Sequence, residues 1–163
     1  MLRVVEDHLR SNQVSRVIYG GIIGLALVVA LEPDPPRAAV MVGTLVGTGV
    51  AVGLAELYSE LVGTEVRTRR RVERARVREV MTDVAAVVFG VSFPAVFFLL
   101  SVTGAIEIGT AFDLSKWSGL ALIGFYGFCA ARLAGTGLLG ALAQAAAVAL
   151  IGGFLIALKA LIH

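Results

Sequence analysis

The chain has 163 residues, of which 58% are hydrophobic and only 16% are charged, and its formal net charge is +2. Its mean hydropathy of +0.88 exceeds what a soluble domain needs to build a core, which excludes that class. The apolar segments do not alternate with period two, so the composition predicts an all-α polytopic membrane protein. The single cysteine, Cys129, excludes an intrachain disulfide.

Residues 1–16 are mixed and charged. Their apolar residues, among them Leu2, Val5 and Leu9, recur at helical spacing. This pattern predicts a short amphipathic helix that lies on the membrane surface.

Residues 17–31 form the first predicted membrane span. The span is short for a bilayer, so Arg16 is expected to extend toward the interface. Gly20 and Gly24 are one turn apart and predict a contact face for another helix. Residues 32–37 contain three prolines, which predict a tight exposed connection to the next span.

The second predicted span, residues 38–60, is long enough to cross a hydrocarbon core of about 30 Å. A carboxylate is costly in lipid and small residues allow close helix packing, so both should face inward. The spacing predicts one inward side that carries Gly43, Gly47, Gly49, Gly53, Glu56 and Glu60.

A basic segment, residues 63–83, follows the second span and is predicted to be a cytoplasmic loop, helical in part. A patch for nucleic acid or anionic lipid is one interpretation. The favoured interpretation is that the arginines mark the cytoplasmic side, as the positive-inside rule describes, and no nucleic-acid partner is expected. The segment carries seven arginines: Arg67, Arg69, Arg70, Arg71, Arg74, Arg76 and Arg78.

The rest of the chain predicts three further spans, at about residues 84–102, 118–131 and 138–161. Pro94 lies near the centre of the third span and predicts a kink. Residues 103–116 are predicted to be an outer loop, so residues 17–163 form one five-helix transmembrane domain.

The distribution of basic residues predicts the orientation. Three arginines precede the first span, seven lie between the second and third, and Arg132 lies between the fourth and fifth. The other side carries only Arg37, Lys116 and Lys159. The positive-inside rule therefore predicts a cytoplasmic N-terminus and an external C-terminus, in a cell membrane.

Four short segments then carry a resemblance: residues 17–20 (VIYG), 55–59 (AELYS), 89–94 (FGVSFP) and 131–135 (ARLAG). With the five-helix layout, they resemble the vacuolar iron transporter family. The resemblance implies a dimer that moves ferrous or manganous ions, with Glu56 as a pore carboxylate.

This sequence departs from that family at positions that matter for ion binding. Ile23 stands where the family has an aspartate, and Val52 stands where it has a methionine. The arginine segment replaces the family's cytosolic metal-binding domain. One carboxylate per chain is a poor cage for a divalent cation unless neighbours such as Tyr58, Ser59 or Glu60 contribute.

Two functions from different classes follow. The first is a proton-coupled transporter of Fe²⁺ or Mn²⁺, with Glu56 from two subunits at a dimer axis and Glu60 at the cytosolic mouth. The second is a non-transporting scaffold or assembly subunit in which both glutamates pair with Arg67 or Arg78. No catalytic motif is present, so we expect neither an enzyme nor a bound cofactor; the expected partners are membrane lipid and a second copy.

Overall fold

The computed structural model describes residues 13–162, apart from the side chains of residues 151, 155, 156 and 158–162. Most of the predicted amphipathic segment lies outside the described residues. The described part is helical and contains no strand. Its helices are α1 (Gln13–Leu31), α2 (Ala38–Thr68), α3 (Arg74–Ser92), α4 (Ala95–Val102), α5 (Ile108–Leu133) and α6 (Leu138–Ile162).

Two helices, α1 and α2, are long and apolar enough to cross a membrane. The pair α3 and α4 gives a third such segment if the two are counted as one bent span. The all-helical class is thus confirmed for the described residues, and two or three of the helical segments suit a membrane by length and composition. The number of five spans and the sides of the termini stay predictions.

Helix α1 lies at the centre of the bundle, where it packs against α3, α5 and α6, while α2 packs against α3 and α4. Glycines bring α1 and α3 into backbone contact. A Cβ on Gly20 would lie 2.3 Å from the carbonyl oxygen of Val87, and one on Gly24 would lie 2.7 Å from that of Val91. Gly90 of α3 faces the backbone of α1 in the same way. The predicted contact face on α1 is therefore confirmed.

Pro94 bends the third segment by 50° between α3 and α4. Proline has no N–H, so the helical hydrogen-bond ladder is interrupted there. The buried hydroxyl of Ser115 donates to the Pro94 carbonyl oxygen at 3.4 Å. Beyond the bend, the ring of Phe98 meets that of Phe112 edge to face, with the centroids 4.9 Å apart. The bend thus directs α4 onto the start of α5.

The predicted basic loop, residues 63–83, is mostly helical. Helix α2 continues to Thr68 and α3 begins at Arg74, so only residues 69–73 form the turn. Arg69 ends α2 in the left-handed conformation, with φ 53°. Among the predicted outer-loop residues, α5 begins at Ile108, because no glycine cluster or proline interrupts the sequence after that point.

Candidate functional site

Glu56 lies on α2 and forms an ion pair with Arg16, at the start of α1. The Glu56 side chain is 17% exposed and that of Arg16 is 28% exposed. The two helices otherwise barely touch, because both pack mainly against α3. The ion pair therefore bridges a cleft between α1 and α2.

The two carboxylate oxygens of Glu56 have different surroundings. Oε1 binds Arg16, whereas Oε2 is buried and has no hydrogen-bond partner among the described residues. A buried polar atom without a partner is costly, so its surroundings need a donor such as water or a ligand.

A cavity of about 410 Å³ lies beside Glu56 in the cleft between α1 and α2. Tyr19 of α1 and Ser59 of α2 are exposed at its edge. The cavity is lined by Tyr19, Val52, Ala55, Glu56, Ser59 and Glu60. Phenol, hydroxyl and carboxylate groups thus share one space with apolar side chains.

Glu60 lines the same cavity but is held by a different helix. Its Oε1 lies 3.0 Å from Nη2 of Arg76 on α3, and Nη1 of Arg76 lies 2.8 Å from Oε2 of Glu79. Hydrogen bonds to Glu79 and then Glu60 raise the pKa of the Arg76 guanidinium. Arg76 therefore stays charged and connects α2 to α3.

The predicted arginine partners were wrong. Glu56 and Glu60 pair with Arg16 and Arg76, and not with Arg67 or Arg78. Arg16 had been expected to extend toward the interface. The sequence carried one signal for the Arg16–Glu56 pair. Arg16 directly precedes the first predicted span and Glu56 lies near the end of the second, antiparallel span, so both belong to the same side of the membrane.

The structure divides the predicted inward side of α2. Gly49 and Gly53 are buried against α3, where an added Cβ would lie 2.7 Å from side chains of that helix. Gly43 and Gly47 are exposed, and no atom of the described residues lies within 4 Å of an added Cβ at either position. Six residues separate Gly43 from Gly49, a rotation of about 240° at about 3.6 residues per turn, so the two pairs cannot share a face.

The described residues contain no group of three or more His, Cys, Asp or Glu side chains that could hold a metal ion. Among the residues that the structure describes, Glu56 and Glu60 are the only carboxylates that line the cavity. Val52 lines the cavity with an apolar side chain that supplies no donor atom. Counted over residues 13–162 of one chain, the donor set falls short of a divalent-cation cage.

The chain was compared with models of protein families, with curated proteins and with solved structures, and no match was found.

Proposed function

We propose that this chain is a non-transporting membrane subunit that crosses a cell membrane five times and assembles as a homodimer. The resemblance to vacuolar iron transporters is part of this proposal as an expected ancestry. Arg16 and the arginines of residues 67–78 lie at one end of the bundle, which the positive-inside rule assigns to the cytoplasm. Arg37 and Lys116 lie toward the other end.

The observation that carries the proposal is the pairing of both acidic residues with arginines from other helices. Glu56 binds Arg16 of α1, and Glu60 binds Arg76 of α3. A guanidinium next to a carboxylate repels an approaching cation, and the repulsion is strong where water is scarce. We infer that the two carboxylates serve to join α2 to its neighbours.

A double-mutant cycle tests this role. Glu56→Gln and Arg16→Gln each leave one charged or polar partner in the cleft, so each should lower the free energy of unfolding by about 1–3 kcal/mol. The double variant should lose less free energy of unfolding than the two single variants together, with a coupling energy of at least about 0.5 kcal/mol. Unfolding is measured in detergent by circular dichroism. Strictly additive losses would contradict a structural ion pair.

The exposed side of α2 supports the homodimer. Gly43 and Gly47 leave a shallow groove, and Val40, Val50 and Leu54 beside it are 52%, 47% and 60% exposed. Small residues one turn apart let two membrane helices approach closely. No other helix covers Gly43 and Gly47 within the described part of the chain, so this face can receive the same helix of a second copy.

The dimer is tested by adding bulk to this face. Gly47→Leu should convert a crosslinkable dimer into a monomer with unchanged helical content. Gly153→Leu is the control, because Gly153 on α6 also has no atom within 4 Å of an added Cβ. Equal crosslinking of both variants and the parent would contradict a dimer through α2.

Cation or proton transport is the second candidate, and the cavity favours it. The cavity is about 410 Å³, and it adjoins a carboxylate oxygen that has no hydrogen-bond partner among the described residues. Fe²⁺, Mn²⁺ or a proton would bind this oxygen next to the positive charge of Arg16, which already pairs with the other oxygen of Glu56. Reconstituted vesicles decide between the candidates: uptake of Mn²⁺ or protons above that of empty vesicles, lost in Glu56→Gln, would establish transport and overturn the scaffold.

A further inference from the structure

We propose that a groove between α1, α3 and α5 binds one anionic phospholipid, with an acyl chain in the groove and the phosphate at Arg78. The groove has a volume of about 400 Å³. Its walls are mainly apolar and include Val17 of α1, Ala85 and Phe89 of α3 and the ring of Tyr126 of α5. Its shape and lining suit a hydrocarbon chain.

One stripe of α3 leads from this groove to the basic end of the bundle. Arg78, Thr82, Ala85 and Phe89 follow each other at spacings of four, three and four, so they share one face. All four are exposed on the surface of the chain. All four lie within the unbroken helix α3 (Arg74–Ser92), and the Thr82 hydroxyl donates to the carbonyl oxygen of Arg78 at 3.0 Å. Arg78 thus lies one turn beyond the polar end of the groove.

The charge around Arg78 is complementary to a lipid phosphate. Residues 65–79 contain seven arginines and three glutamates, a net charge of +4. Of these seven arginines, only Arg76 forms an ion pair with a described residue. Arg78 is exposed and its guanidinium is available to an anion.

The combination of an apolar groove with a basic rim favours a lipid over a nucleic acid. A nucleic acid would use the arginines but would leave the apolar groove empty. Anionic lipids attract basic residues that lie next to membrane helices. The inference rests on the insertion of the helices in a membrane, but it does not depend on the proposed scaffold or dimer.

Native mass spectrometry of the full chain in detergent tests the proposal, with phosphatidylglycerol and phosphatidylcholine of identical acyl chains as probes. We expect the parent to bind phosphatidylglycerol about tenfold more tightly. Arg78→Gln should weaken that binding about fivefold, and Arg78→Lys should retain it because the charge is kept. Ala85→Phe should fill the groove and abolish the bound phosphatidylglycerol, whereas Val96→Phe, at a 53% exposed position on α4, should not.

Equal affinity for the two lipids would overturn the proposal. So would phosphatidylglycerol binding that both Arg78→Gln and Ala85→Phe leave unchanged. A third arm adds an oligonucleotide to the protein in phosphatidylcholine nanodiscs at about 0.15 M salt. If Arg78→Gln weakens binding of the oligonucleotide but leaves lipid binding unchanged, the surface is a nucleic-acid site and the lipid proposal fails.

Discussion

At Gly20 the lack of a side chain determines how closely two helices approach. The carbonyl oxygen of Val87 occupies the space where a Cβ would lie, so the contact joins backbone to backbone. Gly63, near the end of α2, is also a glycine, but an added Cβ there would meet no described atom within 4 Å. Identical residues therefore have different energetic roles, which depend on the neighbour that each one faces.

The substitution Gly20→Ala should destabilise the bundle. The added methyl would overlap the α3 backbone, and overpacking of this kind costs about 1–3 kcal/mol. The control Gly63→Ala should be neutral or raise stability by up to about 1 kcal/mol, because alanine is the better helix former. Thermal unfolding in detergent measures both. A Gly20→Ala variant as stable as the parent would mean that α1 and α3 are further apart than described.

At the scale of helices, an ion-pair cluster connects the end of α1 to the start of α5. Nζ of Lys116 contacts Glu32, just after α1, and lies 3.0 Å from Oδ1 of Asp113. Burial by itself lowers the pKa of Lys116, but the hydrogen bonds to Glu32 and Asp113 outweigh it and raise this pKa above 10.5. The cluster closes the end of the bundle opposite to Arg16.

The raised pKa of Lys116 predicts a loss of stability at high pH. A lysine whose pKa is higher in the folded than in the unfolded state contributes its full stabilising free energy below pH 10.5. That contribution is lost as the pH rises through the pKa of the folded state. The stability difference between the parent and Lys116→Gln should therefore shrink above that pH. Thermal unfolding from about pH 8 to about pH 12 measures the difference.

Lys116→Arg is the matched control for this titration. Arginine keeps its charge across that range, so the variant should retain its advantage over Lys116→Gln at the highest pH. An advantage of the parent that is independent of pH would mean that Lys116 contributes by packing and not by charge.

On the scale of the whole molecule, the bundle is closed at one end and split at the other. A core of Val28, Met41, Phe98, Phe112 and their neighbours joins α1, α2, α4 and α5 near the Lys116 cluster. Toward Arg16, α1 and α2 separate and the cavity opens between them. The exposed face of α2 is the surface proposed for a second copy, and the groove between α1, α3 and α5 is the one proposed for a lipid.

The proposed topology predicts that the turn at residues 69–73 and the turn at residues 103–107 lie on opposite sides of the membrane. In a Cys129→Ala background, a cysteine introduced by Ala105→Cys should react with an impermeant maleimide in intact cells. One introduced by Arg70→Cys should react only after lysis. Labelling of both in intact cells, or of Arg70→Cys alone, would contradict five spans with a cytoplasmic N-terminus.

Local pattern predicted those features that depend on one segment at a time. The apolar composition indicated helices, Gly20 and Gly24 indicated the contact face of α1, and Pro94 indicated the bend. The basic segment was predicted as a loop with helical parts, and only residues 69–73 are non-helical. Charge dominates the composition there, but residues 65–81 contain no glycine or proline, so most of the segment stays helical.

Composition and periodicity alone determined that this chain is helical and apolar enough for a membrane, because hydropathy and backbone hydrogen bonding act along a single segment. Only the tertiary structure decided that Glu56 pairs with Arg16 and that Gly43 and Gly47 face away from Gly49. These features depend on the rotation of each helix about its axis and on its register against its neighbours. Both are set by contacts between residues that are distant in the sequence.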